Sequence, residues 1–157
     1  LRDVDLDHVA EQVVAASAGL LHATGTVVET ADLPVVHADP DDMYSVLQNL
    51  LTNSVKFARP GFPPRVHISG RRTKDGWRIS VRDNGIGIPE DRQVDVFSLF
   101  SRVETDVEGH GIGLATVARI LAAHDGRAGA SSAPGGGAEI WFELPDPDED
   151  RDAERVS

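Results

Sequence analysis

The stretch "LQNLLTNSVKF", residues 47–57, places two asparagines and a lysine inside an otherwise apolar helical run. Asparagine is a poor residue for the interior of a helix because its side chain competes for backbone hydrogen bonds. At about 100° per residue, Asn49, Asn53 and Lys56 fall within roughly 60° of one another, beside the apolar arc of the helix. This polar stripe is either a solvated helix flank or the wall of a cavity.

The chemistry of the three side chains favours a site for a metal ion and phosphates. An amide oxygen is a hard ligand suited to Mg²⁺, which shares its coordination shell with water and phosphate oxygens. Lys56 follows Asn53 by about one helical turn and would supply a point charge for those phosphates. The stripe alone does not decide between a solvated flank and a binding site.

Outward from this helix, the patterns predict a layered fold. Asp39 as N-cap and Pro40 at the first helical position start the helix. Period-two alternation at 65–72 and 77–83 predicts a hairpin. The other predicted elements are a helix within 4–25, strands at 26–30 and 33–38, helices at 92–100 and 111–124, and strands at 126–132 and 138–144. This order predicts helices packed on one face of a sheet.

The composition limits the classes of protein that fit. The chain has 157 residues, of which 40% are hydrophobic and 26% charged, as expected for a soluble globular domain. A net charge of −11 argues against nucleic acid or an anionic membrane as a partner. The absence of cysteine excludes disulfides and thiolate zinc sites. We expect one domain over 1–145, an acidic disordered tail over 146–157, and, because the first residue is Leu1, a longer parent protein.

Two glycine-containing motifs indicate that the bound ligand is a nucleotide. "DNGIGIP", residues 83–89, follows a predicted strand, and Asp83 at the strand end could accept a hydrogen bond from an exocyclic amine. Adenine presents such a donor, whereas guanine has a carbonyl at the same position. "GHGIGLA", residues 109–115, places glycine at every second position before a helix, where free N–H groups bind anions. Its spacing differs from the dinucleotide fingerprint and the P-loop.

Taken in order, these motifs resemble the boxes of the catalytic, ATP-binding domain of sensor histidine kinases. "NLLTNSVKF", "DNGIGIP", "FSLF" and "GHGIGLA" are similar to its N, G1, F and G2 boxes, and "GGGAEIWFELP" to its last glycine turn and strand. The superfamily also includes gyrase, mismatch-repair and chaperone ATPases. The resemblance implies the Bergerat fold, an α/β (α+β) two-layer sandwich with three main helices on one face of a mixed sheet. It also implies ATP and Mg²⁺ as cofactors.

The resemblance also implies a role for each matching residue. Asn53 would coordinate Mg²⁺, Asn49 would contact the phosphate region, and Lys56 and Arg102 would hold phosphates. The remaining nucleotide contacts would be Phe57, Asp83, Gly85, Gly87, Ile88, Gly109, His110, Gly111, Ile112, Gly113 and Leu114. Segment 101–110 would form a short ATP lid. His110 and Ala138 depart from the pattern, because the family often has a hydroxyl residue or glutamine at the first position and threonine at the second.

Asn49 discriminates within the superfamily. The ATPase branches carry a glutamate at this position as the base that activates water, and a neutral amide cannot accept that proton. We therefore expect phosphoryl transfer rather than efficient hydrolysis. No histidine of this chain lies in the family's acceptor motif; the six are His8, His22, His37, His67, His110 and His124.

The partners implied by the resemblance lie outside this chain. They are an upstream dimerisation and histidine-phosphotransfer domain of the same protein and the receiver domain of a response regulator. We expect a monomeric fragment of a homodimeric, cytoplasmic kinase, whether or not the parent protein is anchored in a membrane. Two alternatives stay open. One is an anti-sigma-factor type serine kinase, which would lack the upstream acceptor domain, and the other is a nucleotide-binding module that does not transfer phosphate.

Overall fold

The structure is a computed structural model that describes residues 1–56, 58, 60–86, 110–132 and 136–146, with 110–115 and 132 described by their backbone alone. These ranges contain seven strands and four helices. They are β1 (Arg2–Asp5), α1 (Leu6–Ala16), α2 (Ala18–Thr24), β2 (Val27–Ala31), β3 (Val35–Ala38), α3 (Pro40–Lys56), β4 (Arg65–Arg72), β5 (Gly76–Asp83), α4 (His110–Ala123), β6 (Arg127–Ser132) and β7 (Ala138–Pro145).

Five of the strands form one mixed sheet in the order β2-β4-β5-β7-β6. The β2–β4 pair is parallel and the other three pairs are antiparallel. Val81 of the central strand β5 lies opposite Ile68 of β4 and Ile140 of β7. The hairpins predicted at 65–83 and 126–144 are therefore confirmed, and β5 occupies the middle of the sheet.

One face of the sheet is covered by helices. Ile79 and Val81 of β5 are buried on this inner face, and α3 packs against both α1 and α4. The largest fully buried side chains come from both layers and include Phe142, Leu6, Met43, Leu47, Leu50, Leu51, Ile68, Ile79 and Leu121. The predicted two-layer sandwich, with three main helices on one face of a mixed sheet, is confirmed.

The outer face of the sheet carries charged residues and a tryptophan. The guanidinium groups of Arg78 and Arg127 both donate to the carboxylate of Glu143, at 2.8 and 2.6 Å. Arg78 also lies over the ring of Trp141, 4.0 Å from the ring centroid. These pairs neutralise charge on the face that no helix of the described chain covers.

Helix α3 begins as its sequence predicts. The backbone N–H groups of Asp41 and Asp42 donate to Oδ1 of Asp39, at 2.9 and 3.1 Å, which confirms Asp39 as the N-cap. The buried side of the helix includes Val46 and the apolar positions Leu47, Leu50, Leu51 and Val55 of the opening stretch.

The predicted single helix within 4–25 is wrong in two respects. Residues Arg2–Asp5 form a strand that pairs antiparallel with β3, because Val4 fills a buried position opposite Val36. The helical part is also broken at Ser17, whose backbone leaves the helical region at φ −98° and ψ 8°. The N–H of Ser17 donates to the carbonyls of both Val13 and Val14. The helix α2 then begins at Ala18 and is capped by Gly25, which confirms the predicted helix end.

The last strand is anchored one residue beyond its end. The N–H of Asp146 donates to the carbonyl of Asp75 at 2.9 Å, and its carboxylate pairs with Arg72. The predicted short helix at 92–100 and the rest of the acidic segment, 147–157, lie outside the described residues. Among the helices that the structure describes, none combines the length and the hydrophobicity that a membrane crossing requires.

Candidate functional site

A buried carboxylate marks the end of the central strand. Asp83 is 8% exposed and points to the helix-covered face, and its Oδ1 accepts hydrogen bonds from the N–H groups of Gly85 at 2.9 Å and Ala138 at 3.1 Å. Two bonds from two different segments hold the carboxylate in one orientation. Among the described residues none donates to Oδ2, so this oxygen is available to a donor on a ligand.

Gly137 makes the second of those bonds possible. Its φ is +86°, and a Cβ atom added there would lie 1.9 Å from the carbonyl oxygen of Asp83. Only glycine permits this close approach, which brings the next N–H, that of Ala138, to the Asp83 carboxylate. Ala138 stands where the family often has threonine, and it has no side-chain hydroxyl to donate. The backbone of the same residue supplies a bond to the carboxylate without any side-chain hydroxyl.

Asn84 holds the strand end from the other side. Its Oδ1 accepts from the N–H of Arg65 at 2.8 Å, and its Nδ2 donates to the carbonyl of Pro63 at 3.2 Å. Asn84 was absent from the predicted site residues. The signal was present in the Asp-Asn-Gly turn, but its partners lie about twenty residues away in the chain, so only the folded structure reveals them.

The polar stripe of α3 borders the core as predicted from its spacing. Asn49 and Asn53 are half-buried and Lys56 is exposed. The Nδ2 of Asn49 donates to the carbonyl of Ser45 at 2.8 Å, within its own helix. In the described part of the chain the Asn53 amide makes no hydrogen bond and Lys56 makes no ion pair, so both are available to a ligand.

The second glycine motif lies at the start of α4. The helix begins at His110, one residue earlier than predicted, so the backbone of Gly111, Ile112 and Gly113 forms its first turn, with Leu114 in the next. The first N–H groups of a helix have no partner within the helix and, with the helix dipole, attract anions. The motif predicted as an anion cradle therefore lies in the first turns of a helix, and its anion-binding role stays a prediction.

Several predicted site residues lie outside the described residues. They are Phe57, Gly87, Ile88, Arg102 and Gly109, together with segment 101–109 of the predicted lid. Their roles stay predictions, as do the side-chain roles of His110, Ile112 and Leu114.

Fold and site together define an α/β sandwich with a buried aspartate at the end of its central strand and polar groups on the facing helix. The family model for histidine kinase-, DNA gyrase B- and HSP90-like ATPases matches residues 38–148, and the chain belongs to this family. The resemblance inferred from the ordered motifs is thereby confirmed.

The curated relatives include a phytochrome-like protein and a sensory kinase. The phytochrome-like protein Cph1 from Synechocystis sp. is 34% identical over 143 residues, which cover 90% of this chain and 19% of Cph1. The adaptive-response sensory kinase SasA from Synechococcus sp. is 41% identical over 116 residues, which cover 73% of this chain and 30% of SasA. The chain thus spans less than a third of either relative.

Solved structures agree on the fold. Full-length ShkA in complex with AMPPNP superposes with a TM-score of 0.76 and 35% identity, covering 92% of this chain and 31% of ShkA. The ATP-binding domain of PrrB from Mycobacterium tuberculosis gives a TM-score of 0.72 at 26% identity, covering 93% of this chain and 97% of that domain. The domain type is that of a histidine kinase catalytic domain.

Proposed function

We propose that this chain binds ATP with Mg²⁺ and presents the γ-phosphoryl group to a histidine of a domain outside the chain, as the catalytic domain of a sensor histidine kinase. The observation that carries the proposal is the Asp83 carboxylate, which two backbone N–H groups orient through Oδ1 while Oδ2 has no donor among the described residues. The ShkA structure, which contains AMPPNP, supports an adenine nucleotide as the ligand.

Base selection follows from Oδ2 of Asp83. A carboxylate is an acceptor only, so it accepts a hydrogen bond from the exocyclic amine of adenine. Guanine would turn a carbonyl oxygen toward the same carboxylate, and two acceptors would face each other without a proton between them. In a buried site an unpaired polar group is costly, so the arrangement selects ATP over GTP.

The other end of the nucleotide would meet α3 and the start of α4. Asn53 fits a magnesium site because its amide is half-buried and makes no hydrogen bond in the described part of the chain. When bound, Mg²⁺ would neutralise phosphate charge. Lys56 would pair with phosphate oxygens, and the free N–H groups that begin α4 would donate to them.

Asn49 supports transfer over hydrolysis. Its amide is neutral and its Nδ2 is already bonded to the Ser45 carbonyl, so it cannot take a proton from water. In the transfer step, a lone pair of the acceptor imidazole forms an N–P bond with the γ-phosphorus, and the bond to the β,γ-bridging oxygen breaks. ADP leaves with that electron pair, and the other ring nitrogen releases its proton to solvent. Positioning and charge neutralisation supply most of the catalysis.

The acceptor and downstream partners belong to this proposal. Of the five histidines whose side chains the structure describes, His8, His22 and His67 are exposed, His37 lies 3.6 Å from Asp3 and His124 is buried. None is placed as an acceptor, so we propose an upstream dimerisation and phosphotransfer domain, a response-regulator receiver domain and a cytoplasmic setting. The similarity to SasA, an adaptive-response sensory kinase, supports this part of the proposal.

Nucleotide binding by the Asp83→Asn variant tests whether Asp83 recognises the adenine base. Asparagine keeps an oxygen for the N–H groups of Gly85 and Ala138, so the fold is retained, but it turns N–H donors toward the adenine amine. We expect ATP affinity to fall about tenfold or more and GTP affinity to fall less, measured by titration calorimetry. Asp75→Asn, the same charge change at the opposite end of β5, is the control. Equal losses for both nucleotides would contradict this role of Asp83.

Transfer is tested with labelled ATP and an acceptor hairpin from a histidine kinase. We expect a phosphoramidate on the hairpin, which acid releases and base does not. A product with the opposite stability, on serine, would favour the anti-sigma-factor type of kinase. Tight ATP binding with no labelled product would favour a module that binds without transfer.

A further inference from the structure

His124 is buried at the far end of α4 from the predicted phosphate site. It is 8% exposed and is the buried one among the histidines whose side chains the structure describes. The proposed mechanism does not use it. His124 directly follows the last residue of α4, and the structure gives it a partner at the start of another helix, α3.

Both ring nitrogens of His124 are engaged. Nδ1 lies 2.8 Å from the carbonyl oxygen of Ile120, and Nε2 lies 3.1 Å from the backbone nitrogen of Asp39. The Asp39 N–H is a donor, so Nε2 must accept and carries no proton. The neutral ring therefore has its proton on Nδ1 and donates it to Ile120.

The bond to Ile120 fixes the ring at the end of α4, and the bond to Asp39 joins it to α3, the other helix that carries the phosphate side of the site. Asp39 is the N-cap of α3, and Ile120 belongs to the last turn of α4. From Asp39 to Asn53, and from His124 back to His110, the chain advances fourteen helical steps, or about 21 Å along either axis. Hydrophobic attraction between helices is non-directional, whereas the hydrogen bond between His124 and Asp39 fixes one point of contact at a defined length.

We propose that His124 is a positioning residue for the nucleotide site. Its ring sets the axial register of α3 against α4, and thereby the placement of Asn53 and Lys56 relative to the N–H groups that begin α4. The link to nucleotide affinity rests on the proposed function; the link to helix register does not. Displacements of about 1 Å at a site are enough to cost large factors in binding and rate.

The first test is the tautomer of the ring in the whole 157-residue chain. Two-bond ¹⁵N–¹H correlation spectra of histidine-labelled protein distinguish a proton on Nδ1 from one on Nε2. At pH 8 we expect the His124 ring to be neutral with its proton on Nδ1, the minor form of free histidine. A ring with its proton on Nε2 would overturn the proposal, because it could not accept from Asp39.

The second test separates positioning from simple stability. His124→Leu removes the acceptor at similar volume, while His124→Gln places an amide oxygen within reach of the Asp39 N–H. With AMPPNP and Mg²⁺ as probe, well below every unfolding midpoint, we expect Leu to raise the dissociation constant about tenfold and Gln to restore it to within about twofold. His8→Leu, an exposed histidine on α1, is the control. A lower melting temperature with unchanged affinity in His124→Leu would overturn the proposal.

The chemical shifts of the backbone amides test the register of α3 against α4 without requiring ATP to bind. If the wild-type chain fails to bind AMPPNP, the proposed function fails, but His124→Leu must still shift the amide resonances of Asn53, Lys56 and Gly111. Shifts confined to the neighbourhood of Asp39 and His124 would overturn the register claim.

Discussion

At the scale of single residues, the site depends on backbone positions as much as on side chains. Asp83 is recognisable from its motif, but its orientation comes from the N–H groups of Gly85 and Ala138. Ala138 contributes through its backbone, so the replacement of threonine costs less than the sequence comparison implies. Gly137 contributes by the absence of a side chain.

Gly137→Ala should therefore damage both stability and binding. Gly137 and Gly61 have nearly the same φ, +86° and +84°, but a Cβ at 61 meets nothing within 4 Å, whereas one at 137 meets the Asp83 carbonyl at 1.9 Å. We expect Gly61→Ala to lower the free energy of unfolding by about 1 kcal/mol and Gly137→Ala by about 3 kcal/mol or more. Urea unfolding measures both.

Nucleotide affinity completes this comparison. Moving the backbone at 137 displaces the Ala138 N–H from the carboxylate, so Gly137→Ala should also weaken AMPPNP binding, while Gly61→Ala should not. Equal losses in the free energy of unfolding for the two substitutions would show that the close contact between residue 137 and Asp83 does not affect stability.

At the scale of elements, the sheet's outer face is held together by charge pairs across β5, β7 and β6. Glu143 sits between Arg78 and Arg127 and is 15% exposed. Burial alone would raise the pKa of its carboxyl group, but the hydrogen bonds from Arg127 and Arg78 outweigh it and lower the pKa below the ordinary value. A carboxylate with a lowered pKa stabilises the fold above its ordinary pKa.

The Glu143→Gln substitution should lower the free energy of unfolding by an amount that depends on pH. At pH 7 we expect the free energy of unfolding to fall by about 1 to 2 kcal/mol, because two charge-assisted bonds become neutral ones. The difference from wild type should shrink as the pH falls below the ordinary carboxyl value of 4.5 and through the lowered folded-state pKa, where wild type also becomes protonated.

The matched control lies four residues away on the same strand. Glu139 faces a single arginine, Arg82, at 3.7 Å. Because that pair is longer and exposed on the arginine side, Glu139→Gln should cost less than about 1 kcal/mol. A pH-independent difference between wild type and Glu143→Gln would contradict the role assigned to this carboxylate.

At the scale of the whole molecule, the first strand closes the core at the end where α1 begins. β1 pairs with β3, Val4 is 5% exposed, and the carboxylate of Asp5 caps α1 through the N–H of Asp7 at 3.0 Å. The strand lies outside the residues that the family model matches, 38–148. Its pairing with β3, the buried Val4 and the Asp5 cap are contacts that stabilise the fold.

Removal of residues 1–5 should lower the melting temperature by about 10 °C, because a buried valine and a helix cap are lost together. Asp146, the first residue of the predicted tail, bonds to Asp75 and Arg72, so the part expected to lack contacts is 147–157. We expect a chain ending at Asp146 to melt within about 2 °C of the full chain. Thermal unfolding by circular dichroism measures both. A large loss on removing 147–157 would contradict the predicted domain boundary.

The sequence by itself determined the fold class, the central helix with its cap, both hairpins and the residue types of the site. These depend on local patterns: helical and period-two spacing, turn residues, and motifs a few residues long. The asparagine stripe beside the apolar arc could be predicted from the sequence because all of its positions lie on one helix. The roles of Asn53 and Lys56 toward metal and phosphate stay predictions.

Only the tertiary structure decided which distant backbone groups meet. The strand at Arg2–Asp5 was missed because one buried valine in four residues carries no pattern without its partner β3. The bonds of Ala138 to Asp83 and of His124 to Asp39 join residues 55 and 85 positions apart. Such bonds depend on how strands and helices are placed in space, and no local preference of the chain encodes that placement.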